Sequence, residues 1–214
     1  EHLLVDVKAI KSSRESFAAI LGDGSVVTWG NPASAADRSS AQKQLKSVRE
    51  IQSSQHAYAA LLADGSVHTW GSSGYGGDSS YVQEQLQNVI QIQASQSAFA
   101  ALLADGSVVS WGATDSGGDC RAVQDQLKDV QQIQASAQAF AAVLADGSVV
   151  VWGDDGLCFD YRDVCHQLQD VVSMQASQDA FAAIRADDSV VTWGDYRTGG
   201  DSSTVEDQLR PHRP

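Results

Sequence analysis

Tryptophan recurs in this chain at positions 29, 70, 111, 152 and 193, each 41 residues after the last. An aspartate keeps the same spacing at 23, 64, 105, 146 and 187. A period of this length constrains the fold more than any other feature. One such unit is too small to bury its own apolar face, so neighbouring units must bury it together. The units align without a gap as 5–45, 46–86, 87–127, 128–168 and 169–209, followed by a tail at 210–214. Residues 1–214 therefore read as a single repeat domain.

Within each unit the centre is a hairpin, clearest at 97–112. The run Ala98–Leu103 and the run Val108–Gly112 are joined around Asp105-Gly106, a pair that tolerates positive φ. Along the first run Phe99, Ala101 and Leu103 alternate with Ala98, Ala100 and Leu102, so both faces are apolar. A strand apolar on both faces is covered on both, as in a sheet sandwiched between two others. Each unit opens with a further strand signal, such as Val89-Ile90-Gln91-Ile92 or Val130-Gln131-Gln132-Ile133. After Trp-Gly comes a Gly/Ser/Asp loop and a closing segment such as Val82-Gln83-Glu84-Gln85-Leu86, which suits a short strand or a single helical turn.

Four strands of about six residues and four turns of about four fill such a unit; three strands with one longer loop fit equally. Helices fare poorly, because the runs are short, β-branched and broken by Asp-Gly. The expected fold is all-β, a five-bladed propeller of antiparallel strands, an architecture that leaves few sheet edges exposed. Placing the last closing segment, Val205–Leu209, against the first unit, which is preceded by Leu4 where the others are preceded by Leu45, Leu86, Leu127 and Leu168, would close the ring. The five tryptophans, Trp29, Trp70, Trp111, Trp152 and Trp193, read as structural. Burying about 150–250 Å² each, at about 25 cal/mol per Å², contributes roughly 4–6 kcal/mol gross per ring.

The formal charge of −13 disfavours nucleic acid and anionic membranes and suits a protein partner with a basic surface. No apolar run approaches the roughly 18 residues of a membrane span. The start Glu1-His2-Leu3-Leu4 has no basic region followed by an apolar core, so no targeting peptide is read there, and the compartment stays open. Cys120, Cys158 and Cys165 are odd in number and form no CxxC pair, which argues against a zinc site or a disulfide scaffold. A Cys158–Cys165 bridge stays open at this point.

The stretch Ala101-Leu102-Leu103-Ala104-Asp105-Gly106-Ser107-Val108-Val109-Ser110-Trp111-Gly112, with Gly117-Gly118 shortly after, resembles the RCC1-like repeat, and the resemblance covers essentially the whole chain. It implies a β-propeller. Members of that family are commonly seven-bladed with longer repeats, so five shorter units imply either a five-bladed ring or an open arc completed by another chain. The family's functions run from nucleotide exchange on a small GTPase to chromatin association, ubiquitin-ligase scaffolding, ultraviolet sensing and protein inhibition. All of these work through protein contacts made by loops. The arginine- and histidine-flanked tryptophan motif of the plant ultraviolet receptors is absent here, as is the basic arm of a chromatin binder.

The residues offer little to a reaction. His2, His56, His68, His166 and His212 share no unit position, and no nucleophile elbow or phosphate loop is present. The chain is therefore expected to be a non-enzyme without a cofactor or metal. Asp37, Asp78, Asp119, Asp160 and Asp201 recur in the loop after tryptophan, where an aspartate ordinarily bonds its own backbone. A repeated cation site is the alternative, but calcium needs six to eight oxygens and the loops are poor in them. A sugar site in each blade, gaining avidity from repetition, would make the chain a lectin.

Departures from the repeat carry a different signal. Unit one has Asn31-Pro32-Ala33-Ser34-Ala35-Ala36-Asp37-Arg38 in its loop. Unit four places Leu157, Phe159, Tyr161 and Arg162 where its sisters have Gly and Ser. Aromatics with arginine in an exposed loop have the composition of a binding hot spot, so these four are the expected partner contacts. Unit five replaces the hairpin glycine with Asp188, a costly residue if the turn needs positive φ. The expected function is a protein-interaction module or scaffold, a subunit of a larger assembly, with a lectin or a small-GTPase regulator as alternatives.

Overall fold

The computed structural model describes residues 6–31 and 45–209, with the Phe159 side chain outside the description. Among the described residues fifteen strands form five separate sheets, each of three consecutive antiparallel strands. Blade one holds β1 (Val7–Ser12), β2 (Ser16–Leu21) and β3 (Val26–Gly30). Blade two holds β4 (Val48–Ser53), β5 (Ala57–Leu62) and β6 (Val67–Gly71). Blade three holds β7 (Val89–Ala94), β8 (Ala98–Leu103) and β9 (Val108–Gly112). Blade four holds β10 (Val130–Ala135), β11 (Ala139–Leu144) and β12 (Val149–Gly153), and blade five β13 (Val171–Ala176), β14 (Ala180–Arg185) and β15 (Val190–Gly194). The blade is thus the three-stranded one, and the closing segment is a helical turn, as at Gln83–Gln85.

The middle strands explain the alanines. In β8 Ala98, Ala100 and Ala101 have no exposed surface, because a neighbouring blade lies on either side. Apolar residues of one blade and the next form one cluster. Ala57, Ala59, Leu61 and Val67 of blade two meet Val89, Ile92, Phe99 and Trp111 of blade three, with Leu86 of the closing segment between them. Within each blade the recurring aromatic stacks on its cross-strand tryptophan. Phe17–Trp29, Tyr58–Trp70, Phe99–Trp111, Phe140–Trp152 and Phe181–Trp193 have ring centroids 5.2–5.4 Å apart and planes within 14–20°. Such a pair adds roughly 0.5–1.5 kcal/mol beyond area burial.

The Gly-Gly pairs after tryptophan serve two distinct needs. Gly76 ends a 3-10 turn in the left-handed region, at φ +84°, while a Cβ on Gly77 would lie 2.5 Å from the Gly71 carbonyl. One glycine supplies the conformation and the other the space. Unit four lacks the pair and folds differently. Asp154 accepts from the Gly156 and Leu157 N–H groups and caps α1 (Asp155–Val164). The expected exposed loop is therefore a ten-residue helix packed on β12 and β15.

Among the described residues the succession of blades is an arc with two uncovered ends. Strand β1 is exposed along its whole length, whereas its counterparts β4, β7 and β10 bury their first and fourth residues. At the other end the final closing segment, with α2 (Glu206–Leu209), is exposed as well. The expected closure of Val205–Leu209 onto the first unit is not formed among the described residues, and Leu4 lies outside them.

Candidate interaction surface

Of the four expected partner contacts, Leu157 is buried against blade five, in one cluster with Met174, Phe181 and Trp193. Tyr161 is half-buried. Its hydroxyl donates to the Val149 carbonyl oxygen at 2.6 Å, and its ring lies 6.3 Å from that of Trp193. Burial pushes its phenol upward from the ordinary value. Arg162 is exposed on the same helix, and Phe159 lies on α1 without a described side chain. The helix takes the place that the Gly-Gly loop has in units two, three and five. Trp111 and Trp152 donate their Nε1–H groups to the Gly76 and Gly117 carbonyls of the preceding blade at 3.0 Å. Trp193, facing α1 instead, has no such partner among the described residues. Cys120, Cys158 and Cys165 are all free thiols, and burial raises the first two from the ordinary value.

The loop aspartates are divided. Asp78, Asp119 and Asp201 each accept from the N–H two residues on, Ser80, Arg121 and Ser203, at 2.8–3.0 Å, the Asx geometry expected of a turn. Asp119 is also forked by the Arg121 guanidinium at 2.6–3.0 Å. Asp160 is exposed on α1, and Asp37 and the unit-one loop lie outside the described residues.

A more continuous feature lies at the hairpin tips. In every blade the tip aspartate (Asp23, Asp64, Asp105, Asp146 or Asp187) accepts from the serine two residues on. The N–H donates at 2.9–3.1 Å and the hydroxyl at 2.5–2.6 Å. The serine hydroxyl, then its N–H, holds each carboxyl below the usual aspartate range, so the tips stay charged in moderate acid.

Beside each tip stands the residue that leads into the first strand of the same blade. Asp6, Ser47, Asn88, Asp129 and Asp170 hold φ of 55–59° and precede a bulge in the β1–β2 type pairing. Each carbonyl accepts from the tip at 2.7–2.9 Å, as Asp129 does from Ala145 N–H. The tips are also joined from blade to blade. Val48, Val89, Val130 and Val171 donate their N–H groups to Gly24, Gly65, Gly106 and Gly147 of the preceding blade at 2.9–3.0 Å.

One rim of the arc therefore presents a connected row of exposed carboxylates: Asp6, Asp23, Asp64, Asp105, Asp129, Asp146, Asp170, Asp187 and Asp188. Fewer cations stand near it. Lys8 donates to the Gly22 carbonyl at 2.6 Å, Arg185 pairs with Asp187 at 3.7 Å, and Lys46 and Lys128 stand beside the lead-in residues. Between the tips of blades four and five runs a shallow groove lined by Gln132, Asp146, Asp170, Val172 and Ala186. Sequence reasoning found the tip aspartates but not the row. The signal was present in the small polar residue before each opening strand, at 6, 47, 88, 129 and 170.

No protein-family model matches the chain, and no curated protein matches it. Solved structures do. Human WBSCR16 overlays with a TM-score of 0.58 at 16% identity, over 88% of this chain and 61% of that one. Prp20, the RCC1 of yeast, overlays at 0.57 and 17% identity, over 90% and 59%. The fold is that of an RCC1-like β-propeller. The ectodomain of the Physcomitrella patens receptor kinase CR4 matches as well, at 0.60 and 16% identity, over 91% and 54%. The chain thus spans little more than half the length of these RCC1-like and related propellers. Among the described residues, no helix is long and apolar enough to cross a membrane.

Proposed function

We propose that this chain is a non-enzymatic protein-interaction module that takes a basic segment of a partner protein along its row of hairpin tips. The observation that carries this reading is the row itself: exposed tip carboxylates held by their serines in all five blades, joined by backbone hydrogen bonds from blade to blade, with Asp6, Asp129 and Asp170 beside them. Single exposed charge pairs are weak, so a row selects a partner able to meet several of them at once. The fold neighbours are compatible with it. The structure of Prp20p is described together with its binding to Gsp1p and to histones. Helix α1 adds an asymmetric element to the arc, with Arg162 exposed on it.

The test is a titration with a labelled peptide rich in lysine and arginine. Asp105→Asn/Asp129→Asn/Asp146→Asn keeps the oxygen that the Ser107 and Ser148 N–H groups need, so the turns persist while three charges go. Binding is expected to weaken roughly ten-fold and to fall with added salt. Unchanged affinity in the triple variant, with Arg162→Ala losing it instead, would overturn the reading in favour of α1.

A further inference from the structure

We propose that the two uncovered end faces are the two halves of one missing blade junction, and that a second copy of this chain supplies the other half, head to tail. Six of the ten large exposed apolar residues among those described lie on these faces: Val7, Ile10 and Phe17 on blade one, Ile184, Val205 and Leu209 on blade five. Their counterparts at every inner junction are covered. Phe17 is 43% exposed, while Tyr58, Phe99, Phe140 and Phe181 at the same unit position are at most 1% exposed. Ile184 is 44% exposed, against 5% or less for Ile20, Leu61, Leu102 and Val143. Leu209 is 37% exposed, against 2% or less for Leu45, Leu86, Leu127 and Leu168.

The two faces also match in detail. At inner junctions the loop glycine of one blade lies under the aromatic of the next: a Cβ on Gly76 would sit 2.6 Å from Phe99, and one on Gly117 2.5 Å from Phe140. Gly199 is the same residue in blade five, and a Cβ there meets no described atom within 4 Å. Phe17 is the side chain that fits it. A line of backbone hydrogen bonds runs Arg14 N–H to Gln55 O, Gln55 to Gln96, Gln96 to Ala137 and Ala137 to Gln178, at 2.7–3.0 Å. Its continuation is Gln178 N–H to the Arg14 carbonyl of another blade one. The charges agree in sign: β1 carries Lys8 and Lys11 and no acid, and α2 carries Glu206 and Asp207 and no base. Among the described residues nothing of the same chain covers either face, and a second copy presents the same two. Head-to-tail contact of this kind builds rings where the rotation closes and filaments where it does not.

Sedimentation across a concentration series tests this on the full chain. Wild type is expected to assemble as concentration rises. Phe17→Ser, at an exposed position, and Gly199→Leu, which fills the cradle, should each raise the midpoint of assembly roughly ten-fold or more. A second readout uses exposed turn positions and does not depend on those variants. In a Cys158→Ser/Cys165→Ser background, Arg14→Cys and Gln178→Cys chains are mixed and treated with a short bis-maleimide. Crosslinks joining one chain of each kind are expected. A monomer at all concentrations overturns the proposal, as does assembly indifferent to both end-face variants. So does an Arg14→Cys/Gln178→Cys chain that crosslinks only within itself, which would mean that the arc closes on its own blade one.

Discussion

Asp188 sits where four sister units have glycine, and its backbone shows why they do. Gly24, Gly65, Gly106 and Gly147 hold φ of 77–81°, and Asp188 holds 64°. A side chain in the left-handed region costs about 1–2 kcal/mol, less for aspartate than for most residues, so Asp188→Gly should stabilise the chain by about 1 kcal/mol in urea unfolding. The neighbouring tip contact sets a pH response. Because the serine hydroxyl depresses the Asp105 carboxyl in the folded chain, its contribution is present above the ordinary aspartate value of 3.8. It is lost as pH falls through the lower folded value. Ser107→Ala is therefore expected to unfold at lower urea at neutral pH, and to lose less of its remaining stability on acidification. A variant with the wild-type acid profile would contradict that account.

At the scale of elements, α1 is where the sequence and the structure part. Comparison with the sister units makes 154–162 a loop, and on that basis Leu157 and Tyr161 become exposed contacts. The local chemistry says otherwise. Asp154 is a helix cap, no Gly-Gly pair follows to turn the chain, and Leu157, Tyr161 and Val164 recur at helical spacing, all three packed against the blade four–five core. Periodicity across units outweighed periodicity within one. Leu157→Ala should therefore destabilise the chain by about 2–5 kcal/mol, as a core truncation does, and Asp154→Ala by about 1 kcal/mol through the lost cap. Thermal unfolding with helix content followed by circular dichroism distinguishes these from the near-neutral effect of a surface contact. By contrast, the hairpins, the structural tryptophans and the middle strands apolar on both faces were legible, because each is dictated within one unit and repeated five times, whereas the stacking of each tryptophan on its cross-strand aromatic was not read.

Over the whole molecule, repetition dictated the blades but not how the tips join. The lead-in residue lies far from its own tip in sequence and becomes its neighbour only through the bulged pairing of the first two strands, as Asp129 does with Ala145. The acidic row is thus a property of the assembled arc rather than of any motif. A basic partner is proposed to bind along this row. The most direct measurement is amide NMR of the labelled chain titrated with the lysine- and arginine-rich peptide. Shifts concentrated at 64–66, 105–107, 129–130, 146–148 and 170–171 are the expected result. Shifts confined to α1 or to the loops after tryptophan, with the tips unmoved, would contradict it.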